Sequence, residues 1–205
     1  MPESSIVVRP QPMDSETYTA SSRLQAAGLA PAIAVFERAA GEVPLPTAPQ
    51  PIVLADYGAE VIKIEKEKIG DLSRWSLGSD PDGLNNPVFA SLNRNKKSVA
   101  LNLKSDEGKA LFRKLLAESD VFLENFAPGA VARMGFDFAT LQEINPRLIY
   151  ATIKGFGTSG PYSDFKSFEP VAQAMAGAMS VTGQPDGPPT YHWPAIGDSG
   201  TGMHM

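Results

Sequence analysis

The sharpest chemical signal lies near the carboxyl end, where A-I-G-D-S-G-T-G-M-H (195–204) sets Asp198 among Gly197, Gly200 and Gly202. A carboxylate with small neighbours leaves room for a substrate and can act as a nucleophile or a base. D-S-G is also an ordinary turn string, so on spacing alone the structural reading comes first. Upstream, K-S-F-E-P-V-A-Q-A-M-A-G-A (166–178) puts Glu169 and Gln173 one helical turn apart on one face. Two loops also carry suitable chemistry. E-N-F-A-P-G-A-V-A-R (124–133) offers the Asn125 amide, the Phe126 ring and a helix start at Gly129, where free N–H groups suit an anion. Arg133, one turn on, suits a phosphate. K-G-F-G-T-S-G-P-Y (154–162) has the glycines that let backbone approach a ligand closely. Neither loop is a Walker A or a dinucleotide fingerprint. The plain alternatives are a core position for Phe126 and a surface ion pair for Arg133.

Other chemistries are excluded or disfavoured. The 205 residues include no cysteine, which rules out disulfides, thiolate catalysis and cysteine metal sites. His192 and His204 are the sole histidines, so no metal ligands are assigned. A net charge of -5 argues against general nucleic-acid binding. It leaves room for a small anion, because Arg94, Lys96, Lys97 and Lys104 form a local basic group. Taken singly, Lys66, Lys68, Lys96 and Lys97 read as solvated. No apolar run has the length of a membrane span, so no membrane partner is expected. Met1 to Pro12 is not a secretory signal. The expected location is intracellular, cytoplasmic or mitochondrial. Residues 1–20 do not resemble a mitochondrial leader, having Glu3, Asp14 and Glu16 against Arg9 alone.

These groups need a scaffold. Residues 1–50 mix Pro, Ser, Thr and Ala and are expected to be irregular or disordered, apart from an Ala-rich helix over 21–41 interrupted at Pro31. From residue 51 to 205 helices and strands alternate. A helix over 53–57 ends at Gly58, and VIKIE (61–65) is a strand. SVALNL (98–103) is a second strand, followed by a helix over 105–119 with Ser105 as N-cap and Leu111, Phe112, Leu115 and Leu116 on its apolar face. VFLEN (121–125) and RLIYATIKG (147–155) are further strands, and a helix over 170–180 follows. That order predicts an α/β fold, Rossmann-like, with a largely parallel sheet and flanking helices. In such sheets ligands sit at the carboxyl ends of the strands.

Six segments together resemble the N-terminal half of the family III CoA-transferases (CaiB/BaiF type), which include α-methylacyl-CoA racemases. They are LADYGAEVIKIE (54–65), GDLSR (70–74), NRNKKSVALNLKSDEGK (93–109), DVFLENFAPGAVARMGF (120–136), INPRLIYATIKGFGTSGPY (144–162) and GPPTYHWPAIGDSGTGMH (187–204). The resemblance implies that Asp198 is the carboxylate that attacks acyl-CoA. It would form an aspartyl mixed anhydride and then an aspartyl-CoA thioester. Glu169 matches an active-site glutamate of the formyl-CoA transferase branch. Leu101, Leu103 and Lys104 match a strand along CoA; Asn125, Phe126 and Arg133 match the CoA-contacting loop; Lys166 matches another ligand-side position. Lys66 stands where that branch has arginine, keeping the charge without the bidentate fork. The glycines at 197, 200 and 202 are expected to keep the site open. The implied substrates are an acyl-CoA and a small carboxylic acid, with no tightly bound cofactor. Racemase members carry a histidine at the slot of Phe168, and phenylalanine cannot move a proton, which favours transfer.

Two departures from the family bear on expectation. The opening strand and turn are replaced by GEVPLPTAPQPIV (41–53), and Leu45 stands at the slot of an active-site glutamine. The family's smaller domain, and a glycine-rich loop over the site, lie beyond the matched segments. The fold is thus expected to be incomplete relative to the family's interlocked homodimer, a ring that a half-chain does not close. The polypeptide alone is expected to be a fragment, inactive or weakly active.

Overall fold

Short apolar runs flanked by turn residues build the sheet. In a computed structural model of the chain, residues 8–9, 32–36, 52–75 and 86–204 are described. The strands are β1 (Val8–Arg9), β2 (Ala32–Phe36), β3 (Glu60–Glu65), β4 (Lys96–Ala100), β5 (Val121–Glu124) and β6 (Ile149–Thr152). The helices are α1 (Ile52–Asp56), α2 (Pro87–Asn93), α3 (Asp106–Glu118), α4 (Ala130–Arg133), α5 (Phe138–Ile144), α6 (Glu169–Met175) and α7 (Ile196–His204). The sheet order is β1-β4-β3-β2-β5-β6. Edge strand β1 runs antiparallel to β4, and every other pairing is parallel. The expected α/β class and parallel sheet are present. Strand order reverses between β2 and β5, and the crevice at such a switch point, outside the carboxyl ends, is where doubly wound folds bind ligands.

Strand β2 corrects the helix reading at 32–36, and the rest of 21–41 lies outside the described residues. Ala34 pairs with Ile62 on one side and Phe122 on the other. Pro31 removes the N–H a helix would need, and A-I-A-V-F has the β-branched and aromatic residues that fit between two parallel neighbours. Tertiary pairing overrides the weak local preference for helix. A strand thus lies inside the segment expected to be irregular. Leu45 and the proline-rich stretch 43–51 lie outside the described residues.

The main core lies under α3. Phe112 meets Phe122 and Phe136 edge-on at 5.6 and 4.7 Å. Leu116 and Leu141 are fully buried beside them. Ser105 caps α3 as expected, its hydroxyl accepting from Gly108 N–H at 3.1 Å. Three helices escape the sequence reading: α7, where D-S-G suggests a turn, and the capped helices α2 and α5. Asn86 caps α2 by accepting from Val88 and Phe89 N–H, and Asp137 caps α5 by accepting from Thr140 N–H. Their signals were an N-P pair and a lone Asp ahead of an apolar run. Among the described residues no helix is long and apolar enough to cross a membrane.

The basic group over 94–104 is mostly engaged within the fold. Arg94 pairs with Asp56 and Lys97 with Glu60. Lys96 is 2% exposed and donates to Asn93, so its reading as a solvated side chain is corrected. It sits beside a buried polar cluster in which Lys63 holds Asp71 and Asn93, and Arg74 grips Glu65 through two bonds of 2.8 Å. Lys63 and Arg74 can be buried here because a carboxylate matches each charge.

Candidate active site

Helices α6 and α7 pack together and bring Glu169 and Asp198 into direct contact. Pro170 sits in the first turn of α6, where its missing N–H costs nothing. This turns Glu169 inward, where it is 1% exposed. Its Oε1 accepts from Gln173 Nε2 at 2.6 Å and from Gly197 N–H at 2.8 Å, and its Oε2 accepts from Asp198 N–H. The carboxylate thus satisfies two N–H groups that the start of α7 would leave without partners. Gln173, one turn along, holds the next segment. Its Oε1 accepts from His192 N–H at 2.9 Å and its Nε2 donates to His192 O at 3.0 Å.

Asp198 lies in the first turn of α7, not in the free turn that D-S-G suggests. Its pKa is pushed up to about 6, first by burial and then by the Glu169 charge. Such a carboxylate is mostly ionised near neutrality yet poorly solvated, which suits a nucleophile. Glu169 holds the peptide of Asp198 with both oxygens occupied, a positioning geometry. The expectation that the glycines keep the site open divides. A Cβ at Gly200 would meet nothing within 4 Å, whereas one at Gly197 would stand 2.6 Å from Glu169 Oε2. Gly202 is buried. Gly197 is therefore small because the glutamate closes on it. Phe168, at the slot of the racemase histidine, is the N-cap of α6 and is exposed.

The positions matched to coenzyme contacts follow the carboxyl ends of parallel strands. Lys66 follows β3, Leu101 to Lys104 follow β4, and Asn125 to Arg133 follow β5. Lys66, Lys104, Arg133 and Lys166 are exposed. Leu101 is 6% exposed and sits in the main core, with Leu103 packed against it. Any ligand contact at Leu101 would come from its backbone, because its side chain faces inward. Gly129 has φ of 69°, in the left-handed region that favours glycine, and a Cβ there would come within 2.8 Å of Arg133 Nη1. Arg133 Nη1 donates to Pro128 O at 3.3 Å, within its own loop.

Sequence reading missed two features here. Glu124 is 0% exposed and is joined to Lys154, with which it also grips Phe126. The phenol of Tyr191 is shielded from solvent with no hydrogen-bond partner. Burial first, then the charges of Glu169 and Asp198, raise its pKa. A glutamate at a strand end and a tyrosine in a proline-rich connection carry no spacing signal.

Comparison with known proteins gives this geometry a context. The pattern described as CoA-transferase family III matches residues 42–205. A formyl-CoA:oxalate CoA-transferase of Streptomyces avermitilis is 52% identical over 152 residues, covering 74% of this chain and 36% of that protein. One of the same name from Escherichia coli O6:H1 is 50% identical over 153 residues, covering 75% and 36%. The chain thus spans little more than a third of the length of these curated relatives. A crystal structure of a CAIB/BAIF family protein from Brucella suis superposes with a TM-score of 0.73 at 36% identity, covering 84% of this chain and 45% of that one. The family match spans every strand from β3 onward and both helices that carry the carboxylate pair, and the chain belongs to CoA-transferase family III.

Proposed function

We propose that this chain carries the nucleophile and much of the coenzyme-facing edge of a CoA-transferase site. CoA would move from an acyl-CoA donor to a carboxylic acid acceptor. Asp198 attacks the thioester carbonyl, forming an aspartyl-acyl anhydride and releasing the CoA thiolate. The thiolate attacks the aspartyl carbonyl, forming an aspartyl-CoA thioester and releasing the donor acid as its carboxylate. The acceptor carboxylate attacks that thioester, giving a second anhydride and the thiolate again. Return of the thiolate to the acceptor's acyl carbon yields the new acyl-CoA and restores Asp198. Each step exchanges one activated acyl bond for another, so positioning carries the rate. The name of the relatives makes formyl-CoA and oxalate the first pair to assay. The family resemblance further implies two interlocked chains as the working assembly.

The observation that carries this reading is the half-desolvated Asp198 held by its own N–H on the buried Glu169. With Gly197 and Asp198 N–H groups taken up by Glu169, oxyanion donors must come from elsewhere, which leaves Glu169 a positioning role. Phe168 offers no proton relay, which favours transfer over racemisation. Hydroxylamine intercepts anhydrides and thioesters as hydroxamates. Incubation with acyl-CoA and hydroxylamine is expected to leave a hydroxamate on the peptide containing Asp198, and none in Asp198→Ala. A hydroxamate that persists in the variant, or maps to another residue, overturns the proposal.

A further inference from the structure

The two loops that leave β5 and β6 are tied together at one carboxylate. Glu124 closes β5 with 0% exposure. Its Oε1 accepts from the Tyr150 hydroxyl at 2.8 Å, from Lys154 Nζ at 2.7 Å and from the Thr152 hydroxyl. Its Oε2 accepts from Phe126 N–H at 2.6 Å and from Lys154 Nζ at 2.8 Å. Lys154 Nζ also donates to Phe126 O at 2.6 Å. Both backbone polar atoms of Phe126 are therefore held by one ion pair. An ammonium has three N–H groups, and those of Lys154 have three acceptors in Glu124 Oε1, Glu124 Oε2 and Phe126 O. That leaves Lys154 none to offer a phosphate.

The contacts continue toward the nucleophile. A Cβ on Gly155 would fall 1.9 Å from Ser167 Cβ, so the loop after β6 presses on the residues that lead into α6. Two residues past Ser167, Glu169 holds the start of α7. Burying an ion pair costs much of what its attraction returns, and an apolar pair would join two strands as well. What an apolar pair cannot do is grip both the N–H and the C=O of the next loop.

We infer that Glu124 and Lys154 are a positioning pair that sets the Phe126 loop for coenzyme A. The inference rests on the coenzyme-binding reading above, and the test separates the two. CoA affinity is measured by calorimetry, and thermal unfolding is followed in parallel, for the wild-type chain, Lys154→Met and the double variant Glu124→Gln/Lys154→Met. The single variant leaves an unpaired buried carboxylate and is expected to lose both melting temperature and affinity. The double variant removes that charge, so its melting temperature recovers toward wild type while affinity stays about tenfold down, the effect of one lost charged hydrogen bond. A purely structural pair would recover both together. Wild-type affinity in the double variant overturns the inference and leaves the proposed function standing. A wild-type chain that binds no CoA overturns both.

Discussion

The raised pKa of Asp198 makes this carboxylate a local source of instability, and Asp198→Asn should expose it. The carboxyl moves from the usual 3.8 to about 6, through burial and then the neighbouring Glu169. In the window between those values the folded chain binds more protons at this site than the unfolded chain does. Stability therefore falls as pH rises through the window and stays low above it. Two pKa units correspond to about 3 kcal/mol, and partial exposure of Asp198 brings the expected effect to about 1–3 kcal/mol. Asparagine keeps the N–H that donates to Glu169 and removes the charge. Asp198→Asn should be more stable than wild type by about 1–3 kcal/mol at about pH 7.5 and nearly equal to it at about pH 3, where the Asp198 carboxyl is mostly protonated both folded and unfolded. Urea unfolding of the two proteins at both pH values gives the difference directly, and groups that titrate alike in both cancel. A gain that is the same at both pH values, or a loss at neutral pH, refutes the reasoning.

Two further substitutions probe single contacts. Tyr191→Phe deletes a shielded hydroxyl that has no partner, so it should leave stability unchanged or raise it by up to about 1–2 kcal/mol. A clear drop in melting temperature would show that the hydroxyl is bonded. Gly155→Ala places a methyl against Ser167, 1.9 Å from its Cβ, and should cost about 1–3 kcal/mol. Pairing it with Ser167→Gly should recover most of that loss. A single variant that melts as wild type does would refute the contact.

The strands from β3 onward, and the helix over 106–118, are legible because their signals are local. V-I-K-I-E and V-F-L-E are apolar runs, S-D-E-G opens a helix with a cap and two acids, and Gly58 stops one. Strand β2 was not legible, because A-I-A-V-F follows an Ala-rich stretch and becomes a strand only when β3 and β5 pair with it. The carboxylate at Asp198 was legible as a candidate, and the order of motifs around it matched the family. Its surroundings were not. Nothing in S-F-E-P-V-A-Q says that Glu169 will reach across to the start of another helix and close on Gly197.

The unread part shares one device. Glu65 and Glu124 read as polar ends of apolar runs, and Glu169 as a helix-face group matched by resemblance to an active-site glutamate, yet all three are buried and each accepts a backbone N–H from a later segment. Glu65 takes the N–H of Asp71, Glu124 that of Phe126, and Glu169 those of Gly197 and Asp198. A countercharge or amide completes each group: Arg74 with Glu65, Lys154 with Glu124, Gln173 with Glu169. For Glu65, burial would raise the pKa, but the Arg74 bond and the charges of Lys63 and Arg74 outweigh it and lower the value. Loops at the carboxyl edge of a parallel sheet have few apolar side chains to hold them and many unpaired N–H groups. A buried carboxylate fixes such a loop by direction as well as distance, which hydrophobic contact cannot do. Glu169 drew notice in the sequence, but its grip on a later segment, like those of Glu65 and Glu124, shows only once the fold places it. The segments gripped, around Phe126 and Asp198, hold motifs that a sequence reading singles out, while Glu65 and Glu124 look like no more than polar ends of apolar runs.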